Sequence, residues 1–472
     1  MIRRPMPDVL VVIPGILGSE LRQHGHGAWG FSASAPLHAI NTFGGSIGAL
    51  RLSADSPDPD QLVDGVVATR VLPDLHLIPY LWKIDGYSGL TETLTRTFDV
   101  ARGTNYFEFP YDWRRDNRVA AKQLQNLSRQ WLKNWRESSG NSGAKLIIVA
   151  HSMGGLVARY FLEALEGWPD AKALVTFGTP FRGSVNALRT LVEGIRKGPF
   201  GIVDLSAFVR SLTSVYQLLP TYPCLQTVGG QLVHLSDGPE IANVETQRVR
   251  DARDFHTEIR QAVDRHLADD AYQRRRYRLI PVVGTFQETL QSARMTGGVK
   301  IEFAAEHAGQ DLKGDGTVPR ISATPVEFSN AGLETYVSTC HASLQNAAAV
   351  QHHVCEAIAA LDLDLSAWQY REMAVGQVKI ALHLEDAYWT DEPVALRVMT
   401  DEPASPALYA TVVGIDTGTE AAHIAFPPKQ EGWQRAELPP LDAGAYRCTV
   451  EPEGGVGGVS DVFSVYESAH RS

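Results

Sequence analysis

Cysteine is scarce in this sequence: 472 residues hold four, Cys224, Cys340, Cys355 and Cys448, with no close pair among them. That spacing argues against a disulfide framework and offers no Cys-x-x-Cys metal site, so a reducing compartment is expected and the protein is read as cytoplasmic. Long apolar runs are missing too, and nothing approaches the roughly 20 residues of a membrane-spanning helix. The opening "MIRRPMPDVLVVIPGILGS" places arginines before an apolar run. Asp8 and Pro14 hold that run to about five residues, short of the roughly 7–15 of a signal-peptide core. Positive charge is in deficit, with 43 Lys and Arg against 54 Asp and Glu. A nucleic-acid partner, which needs a basic face, is therefore not expected. Internal repeats and low-complexity tracts are also absent. What is present is an ordinary globular composition, 44% hydrophobic and 21% charged, in a chain long enough for two domains.

The charge is unevenly placed. Glu372–Ser472 carries sixteen acidic and six basic residues, whereas 38 and 37 precede it, so a boundary is expected near residue 370. Up to about residue 365, short apolar strands alternate with helical patterns, which predicts an α/β fold around a largely parallel sheet. The expected strands are 8–15, 106–113, 145–152, 173–180, 278–285 and 334–339. The expected helices are 88–98, 117–138, 153–166 and 342–361. Two long stretches, 20–88 and 182–276, exceed simple crossovers and read as cap or lid inserts. The second contains an amphipathic piece with Phe200, Ile202, Leu205, Phe208, Val209 and Leu212, read as a packed lid helix. After residue 372 the pattern turns to period-two alternation, which predicts an acidic β-sandwich over 372–472 beside a catalytic domain over 1–368. Tyr446, two residues before Cys448, suggests the tyrosine corner of immunoglobulin-like domains, although no partner cysteine is available there.

The chemistry concentrates in "KLIIVAHSMGG", residues 145–155. A buried strand runs into a tight turn and then a helical segment, with small Ala150 two residues before Ser152 and Gly154 two after it. That is the setting of a nucleophile elbow, where backbone strain demands small neighbours. A nucleophilic serine needs a base, and the base an orienting acid. Asp315, in "KGDGTVPR", sits in a glycine turn, and His341, in "TYVSTCHASL", falls between a strand and a helix. Read singly, Asp315 has the alternative of an ordinary turn aspartate and His341 that of a helix-capping or surface histidine; in chain order Ser, Asp, His they make a set. His352 and His353 compete for the base but lie within the expected last helix. His352 with Cys355 is too small a set for a metal. The glycines of "FGGSIGA" (43–49) lack the strand and lysine of a phosphate loop. Two backbone N–H groups would hold the oxyanion, from Met153 after the nucleophile and from Ile16 in the glycine turn after the first strand.

Together these segments resemble the lecithin:cholesterol acyltransferase and lysosomal phospholipase A2 family of α/β-hydrolases. The resemblance rests on "IPGILGS", "FPYDWRR" (109–115), "AHSMGG", "FGTPFRGS" (177–184), "VYQLLP" (215–220) and "GDGTVP", which follow in order across residues 8 to about 361. It implies that Ser152 is the nucleophile, Asp315 the orienting acid and His341 the base, with Ile16 and Met153 as oxyanion donors. Tyr111, Asp112, Trp113 and Arg114 would support the site structurally. It implies an acyl-ester hydrolase acting on glycerophospholipids through an acyl-enzyme, with transfer to an alcohol as a further outcome, and a lipid or membrane-derived ester as substrate. An esterase or thioesterase for small soluble substrates is the nearer alternative, and a hydrolase-fold binding or signalling scaffold the more distant one. No metal or organic cofactor is implied. The acidic C-terminal domain lies outside the resemblance and is expected to face a protein partner or a neighbouring subunit.

Overall fold

The computed structural model describes residues 3–30, 50–62, 64–73, 76–78, 82–197, 203–328, 334–362, 379–400, 407–426, 432–454 and 458–467. Its centre is a six-stranded, all-parallel sheet. The strands are β1 (Val9–Ile13), β2 (Tyr106–Glu108), β3 (Leu146–His151), β4 (Ala171–Phe177), β5 (Arg278–Gly284) and β6 (Thr335–Val337). Their spatial order is β2-β1-β3-β4-β5-β6. The sequence of β3, Leu-Ile-Ile-Val-Ala-His, is apolar almost throughout because every one of its residues is buried, as a strand covered on both faces requires. The chain runs from β1 out to the edge at β2 and returns to β3 on the other side of β1. The crevice outside the carboxyl ends of β1 and β3 is thus a topological switch point, where sheets of this kind bind ligands. The architecture is that of an α/β-hydrolase.

Helices α1 (Ser88–Thr97), α2 (Asn117–Ser139), α3 (Met153–Arg159), α4 (Val185–Glu193), α5 (Thr246–Leu267) and α6 (Ala348–Ala359) accompany the sheet. Helix α2 starts where the Asp116 carboxylate accepts the Arg118 N–H at 2.8 Å, and it ends at Gly140 with φ 71, a left-handed cap that glycine adopts without a Cβ penalty.

Three expectations are corrected. The strand expected over 106–113 stops at Glu108. The Tyr111 N–H and the Trp113 indole turn instead to the hydroxyl and carbonyl of Ser19, both at 3.1 Å. The helix expected over 153–166 is regular only to Arg159 and closes in a π-helical turn, Tyr160–Ala164. The helix expected over 342–361 is broken: a 3₁₀ segment, His341–Asn346, ends at an extended Ala347 before α6 begins.

The insert 20–88 contributes a three-stranded antiparallel sheet, Ser19–Gln23 with His26–Trp29 and Val66–Val71. Of the amphipathic piece in the second insert, Leu205, Phe208, Val209 and Leu212 are buried. Phe208 stands edge-on to Trp113 at 6.4 Å. Phe200 and Ile202, the glycine stretch 43–49, part of 75–82 and the boundary near 372 lie outside the described residues.

Beyond residue 379 two sheets share one core. The first is β7 (Ile380–Leu384), β9 (Val394–Thr400) and β12 (Gln434–Leu438). The second is β8 (Ala387–Trp389), β14 (Val459–Tyr466), β13 (Gly444–Pro452), β10 (Leu408–Gly414) and β11 (Glu420–Phe426), in that spatial order. Alternate residues of β10 are buried, the signature of a strand with one face on a core. Ile380, Val394 and Leu396 of the first sheet cluster with Leu408, Val450 and Phe463 of the second. The Tyr446 hydroxyl donates to the Asp442 carbonyl at 2.8 Å.

Candidate active site

Ser152 follows β3 directly and takes φ 49 and ψ −125 before α3 begins at Met153. A residue bearing a Cβ holds such a backbone only where its surroundings fix it. Here the Ser152 N–H donates to the Phe177 carbonyl of β4 at 2.9 Å. The glycines after it are required by close approach. A Cβ on Gly154 would lie 2.4 Å from the Pro14 carbonyl, and one on Gly155 2.0 Å from Thr179 Oγ1. Ala150 is fully buried, paired in register with Ile13 of β1 and Thr176 of β4.

Three residues far apart in the chain meet at this turn. The Ser152 Oγ is 2.9 Å from His341 Nε2, and His341 Nδ1 is 2.7 Å from Asp315 Oδ2. The carboxylate accepts, so Nδ1 carries the proton and Nε2 is left to take one from the hydroxyl. Asp315 is itself fixed, because its other oxygen accepts the N–H groups of Thr317 at 2.9 Å and Val318 at 2.6 Å. The His341 N–H donates to the Asp315 carbonyl at 2.8 Å. Asp315 is 1% exposed and the His341 side chain 13%, so the imidazole alone of this pair opens towards solvent. Gly178, at φ +53 beyond β4, lies beneath them. A Cβ there would be 2.7 Å from Asp315 Oδ2 and 2.9 Å from His341 Nδ1, a requirement that its place in "FGTPFRGS" did not by itself declare.

The expected oxyanion donors lie on two segments that converge on Ser152. Met153 opens α3, where the first N–H groups of a helix have no intrahelical acceptor. Ile16 belongs to the turn after β1, and that turn passes so near the elbow that a Cβ on Gly15 would lie 2.9 Å from the Ser152 Cβ. The "PYDWR" stretch buttresses the same turn. The Tyr111 hydroxyl donates to the Pro14 carbonyl at 3.0 Å. Fully buried Arg114 binds Asp112 at 2.6 Å and Asp64 at 2.9 Å.

Two further residues, His151 and Tyr87, had no role in the sequence reading. His151 Nδ1 is 2.9 Å from the Tyr87 hydroxyl, and its Nε2 is 3.1 Å from the His341 carbonyl. Burial, with the neighbouring His341 second, pushes the His151 imidazole down to about 3, so it stays neutral. Tyr87 also accepts the Gly15 N–H at 2.8 Å. His151 stood inside the motif but without a signal separating it from filler, and Tyr87 lies in "DGYSG", which resembles any turn. The competing histidines are elsewhere: both lie on α6, with His353 Nε2 2.8 Å from Thr335 Oγ1. Among the described residues no cluster of three metal-ligating side chains occurs, and no helix is long and apolar enough to cross a membrane.

A cleft of about 640 Å³ opens beside Asp315 and His341, bounded by α4 on one side and by Leu382–Asp386, Arg397 and Trp433 of the C-terminal domain on the other.

The family model "Lecithin:cholesterol acyltransferase" matches residues 66–293. "Lysosomal phospholipase A and acyltransferase" of Rattus norvegicus is 32% identical over 127 residues, 25% of this chain and 29% of that protein. "Phosphatidylcholine-sterol acyltransferase" of Gallus gallus is 32% identical over 92 residues, 19% of this chain and 21% of that protein. The matched segments thus span less than a third of these relatives. Among solved structures, the mature form of Bacillus licheniformis lipase BlEst2 covers 76% of this chain and 95% of its own, at 13% identity and a TM-score of 0.35.

Proposed function

The chain is a relative of the lecithin:cholesterol acyltransferase and lysosomal phospholipase A proteins, and we propose that it is a serine hydrolase cleaving acyl esters of glycerophospholipids through an acyl-enzyme. The observation that carries this reading is the hydrogen-bonded chain from Ser152 Oγ through His341 to Asp315, seated on a strained elbow. His341 Nε2 takes the Ser152 proton as Oγ attacks the ester carbonyl. The developing oxyanion is met by the backbone N–H groups of Ile16 and Met153. Asp315 stabilises the imidazolium and keeps Nε2 pointed at the serine. His341 then gives its proton to the departing lysophospholipid oxygen, which leaves Ser152 acylated. In the second half, water or an acceptor alcohol loses a proton to His341 and attacks the acyl carbonyl. Ser152 leaves with that proton, and free acid or a new ester is released.

The wide spacing of Cys224, Cys340, Cys355 and Cys448 along the chain supports a reducing, cytoplasmic setting. The Tyr446–Asp442 bond and the two-sheet core support an immunoglobulin-like C-terminal domain.

Incubating the protein with mixed phospholipid vesicles and resolving the products by mass spectrometry tests the substrate class. Free fatty acid and lysophospholipid in equal amounts are expected, with acylated alcohol added when an acceptor is supplied. Turnover of short-chain soluble esters, with none of the vesicles, would replace this reading with that of an esterase for small substrates.

A further inference from the structure

The C-terminal domain reaches the catalytic residues at three places. Gln287, buried just after β5, grips the edge of β7: its Nε2 donates to the Ile380 carbonyl at 3.1 Å and its Oε1 accepts the Leu382 N–H at 3.2 Å. The backbone N–H of the same residue donates to the Gly314 carbonyl at 2.9 Å, so one residue joins β7, through its side chain, to the loop that carries Asp315, through its backbone. Cys340, immediately before His341, packs into the hydrophobic core of the C-terminal domain with Ile380, Phe463 and their neighbours. Arg447 of β13, one of only six basic residues in that acidic domain, sends both guanidinium nitrogens onto the Asp85 carboxylate, Nη1 at 2.5 Å from Oδ2. The Asp85 side chain is 2% exposed, and a buried carboxylate is tolerated only with such a partner.

From Asp85 the contacts lead inward. Asn346 donates to the Asp85 carbonyl at 2.5 Å and Gln345 to the Gly86 carbonyl at 3.0 Å, tying this turn to the segment that begins with His341. The His341 carbonyl can only accept, so the neutral His151 carries its proton on Nε2 and donates it there. Nδ1 is thereby left to accept from the hydroxyl of Tyr87, two residues beyond Asp85, whose oxygen also accepts the Gly15 N–H. The oxyanion turn, the elbow and the base are thereby held by one hydrogen-bonded line, and its outer end is in the second domain.

We propose that the C-terminal β-domain is a working part of the active site. It docks through Gln287, Cys340 and the Arg447–Asp85 ion pair, and Tyr87 and His151 are the positioning residues that carry its hold to Gly15 and His341. The partner of the acidic domain is, on this account, the catalytic domain of its own chain. The proposal rests on the serine-hydrolase reading. It differs from a merely structural role for the interface in one respect: loosening the clamp lowers turnover per competent site, and does not only lower the number of folded molecules.

The test uses the full-length protein with p-nitrophenyl butyrate as substrate and a fluorophosphonate to titrate active sites. Arg447→Met is expected to lower kcat per titrated site by about tenfold to a hundredfold with little change in KM, and to slow fluorophosphonate labelling in parallel. Arg447→Lys, which keeps the charge but loses the two-pronged grip, is expected to recover part of the loss. Tyr87→Phe, which keeps the ring and removes only the hydroxyl, is expected to lower kcat per site in the same way. Arg447 variants whose kcat per site stays within about twofold of wild type would overturn the clamp while leaving the hydrolase intact. An insoluble Arg447→Met leaves that decision to Arg447→Lys. A wild-type protein that is not labelled at all would overturn both the clamp and the hydrolase reading.

Discussion

His151 occupies the variable position of the elbow, yet it is fully buried against Tyr87 and His341, and its titration should be visible in the stability of the protein. Its folded value is held near 3 by burial, against an ordinary 6.5. Half-buried His256, its Nε2 2.8 Å from the Gln217 carbonyl, is held near 4 with desolvation again the first cause. Below pH 6.5 the unfolded chain takes up protons at both sites that the folded chain refuses, so stability falls as the pH drops from about 6.5 towards 4. Each group contributes a slope of about 1.4 kcal/mol per pH unit at most. Denaturant titrations at pH 7, 6, 5 and 4 should show this decline, and a His256→Gln variant should show a shallower one. An unchanged slope in that variant would remove His256 from the account. At this scale the sequence singled out Ser152, Asp315 and His341 by residue type and chain order, and the structure brings the three within hydrogen-bond distance. The sequence did not expose Tyr87 or Gly178. Their roles come from where a hydroxyl or a missing Cβ falls in space, and neither residue type is unusual in a turn.

The elbow shows how an element can be required by its neighbours. Its alanine in place of the first glycine costs nothing visible, since Ala150 lies within β3, buried between Ile13 and Thr176 in the adjacent strands. The demanding position is Gly154, where a Cβ would meet the Pro14 carbonyl at 2.4 Å and the Ile13 carbonyl at 2.9 Å. Backbone must then move, and the backbone in question leads into the oxyanion turn. Gly154→Ala is expected to cost about 1–3 kcal/mol of stability and to reduce kcat by about tenfold to a hundredfold. Chemical denaturation and initial rates on a p-nitrophenyl ester measure the two effects. The strands of the central sheet were legible because burial on both faces leaves a continuous apolar run, as in β3. "FPYDW" was read as strand for the same reason: its aromatic residues are buried, but by a loop whose polar groups bond to Ser19 and Pro14. Periodicity likewise ran across Ala347, since an apolar pattern does not register a single extended residue between a 3₁₀ turn and a helix.

At the scale of the molecule, the shift in charge and in periodicity after residue 372 announced a second, all-β unit, and its alternation is that of β9 and β10. How the two units meet could not be read from the chain. Arg447 and Asp85 stand 362 residues apart, and nothing in the spacing of either marks a partner. The acidic excess raised the expectation of a protein partner or neighbouring subunit; within the chain, Gln287, Cys340 and Arg447 join the domain to the segments that carry Asp315, His341 and Asp85. The whole account depends on Ser152 acting as a nucleophile within this assembly, and intact-mass and peptide mass spectrometry after exposure to a fluorophosphonate tests that directly. A single adduct is predicted, located on the peptide containing Ser152 and absent in Ser152→Ala. An adduct of equal yield in the variant, or one mapped to another residue, would contradict the account.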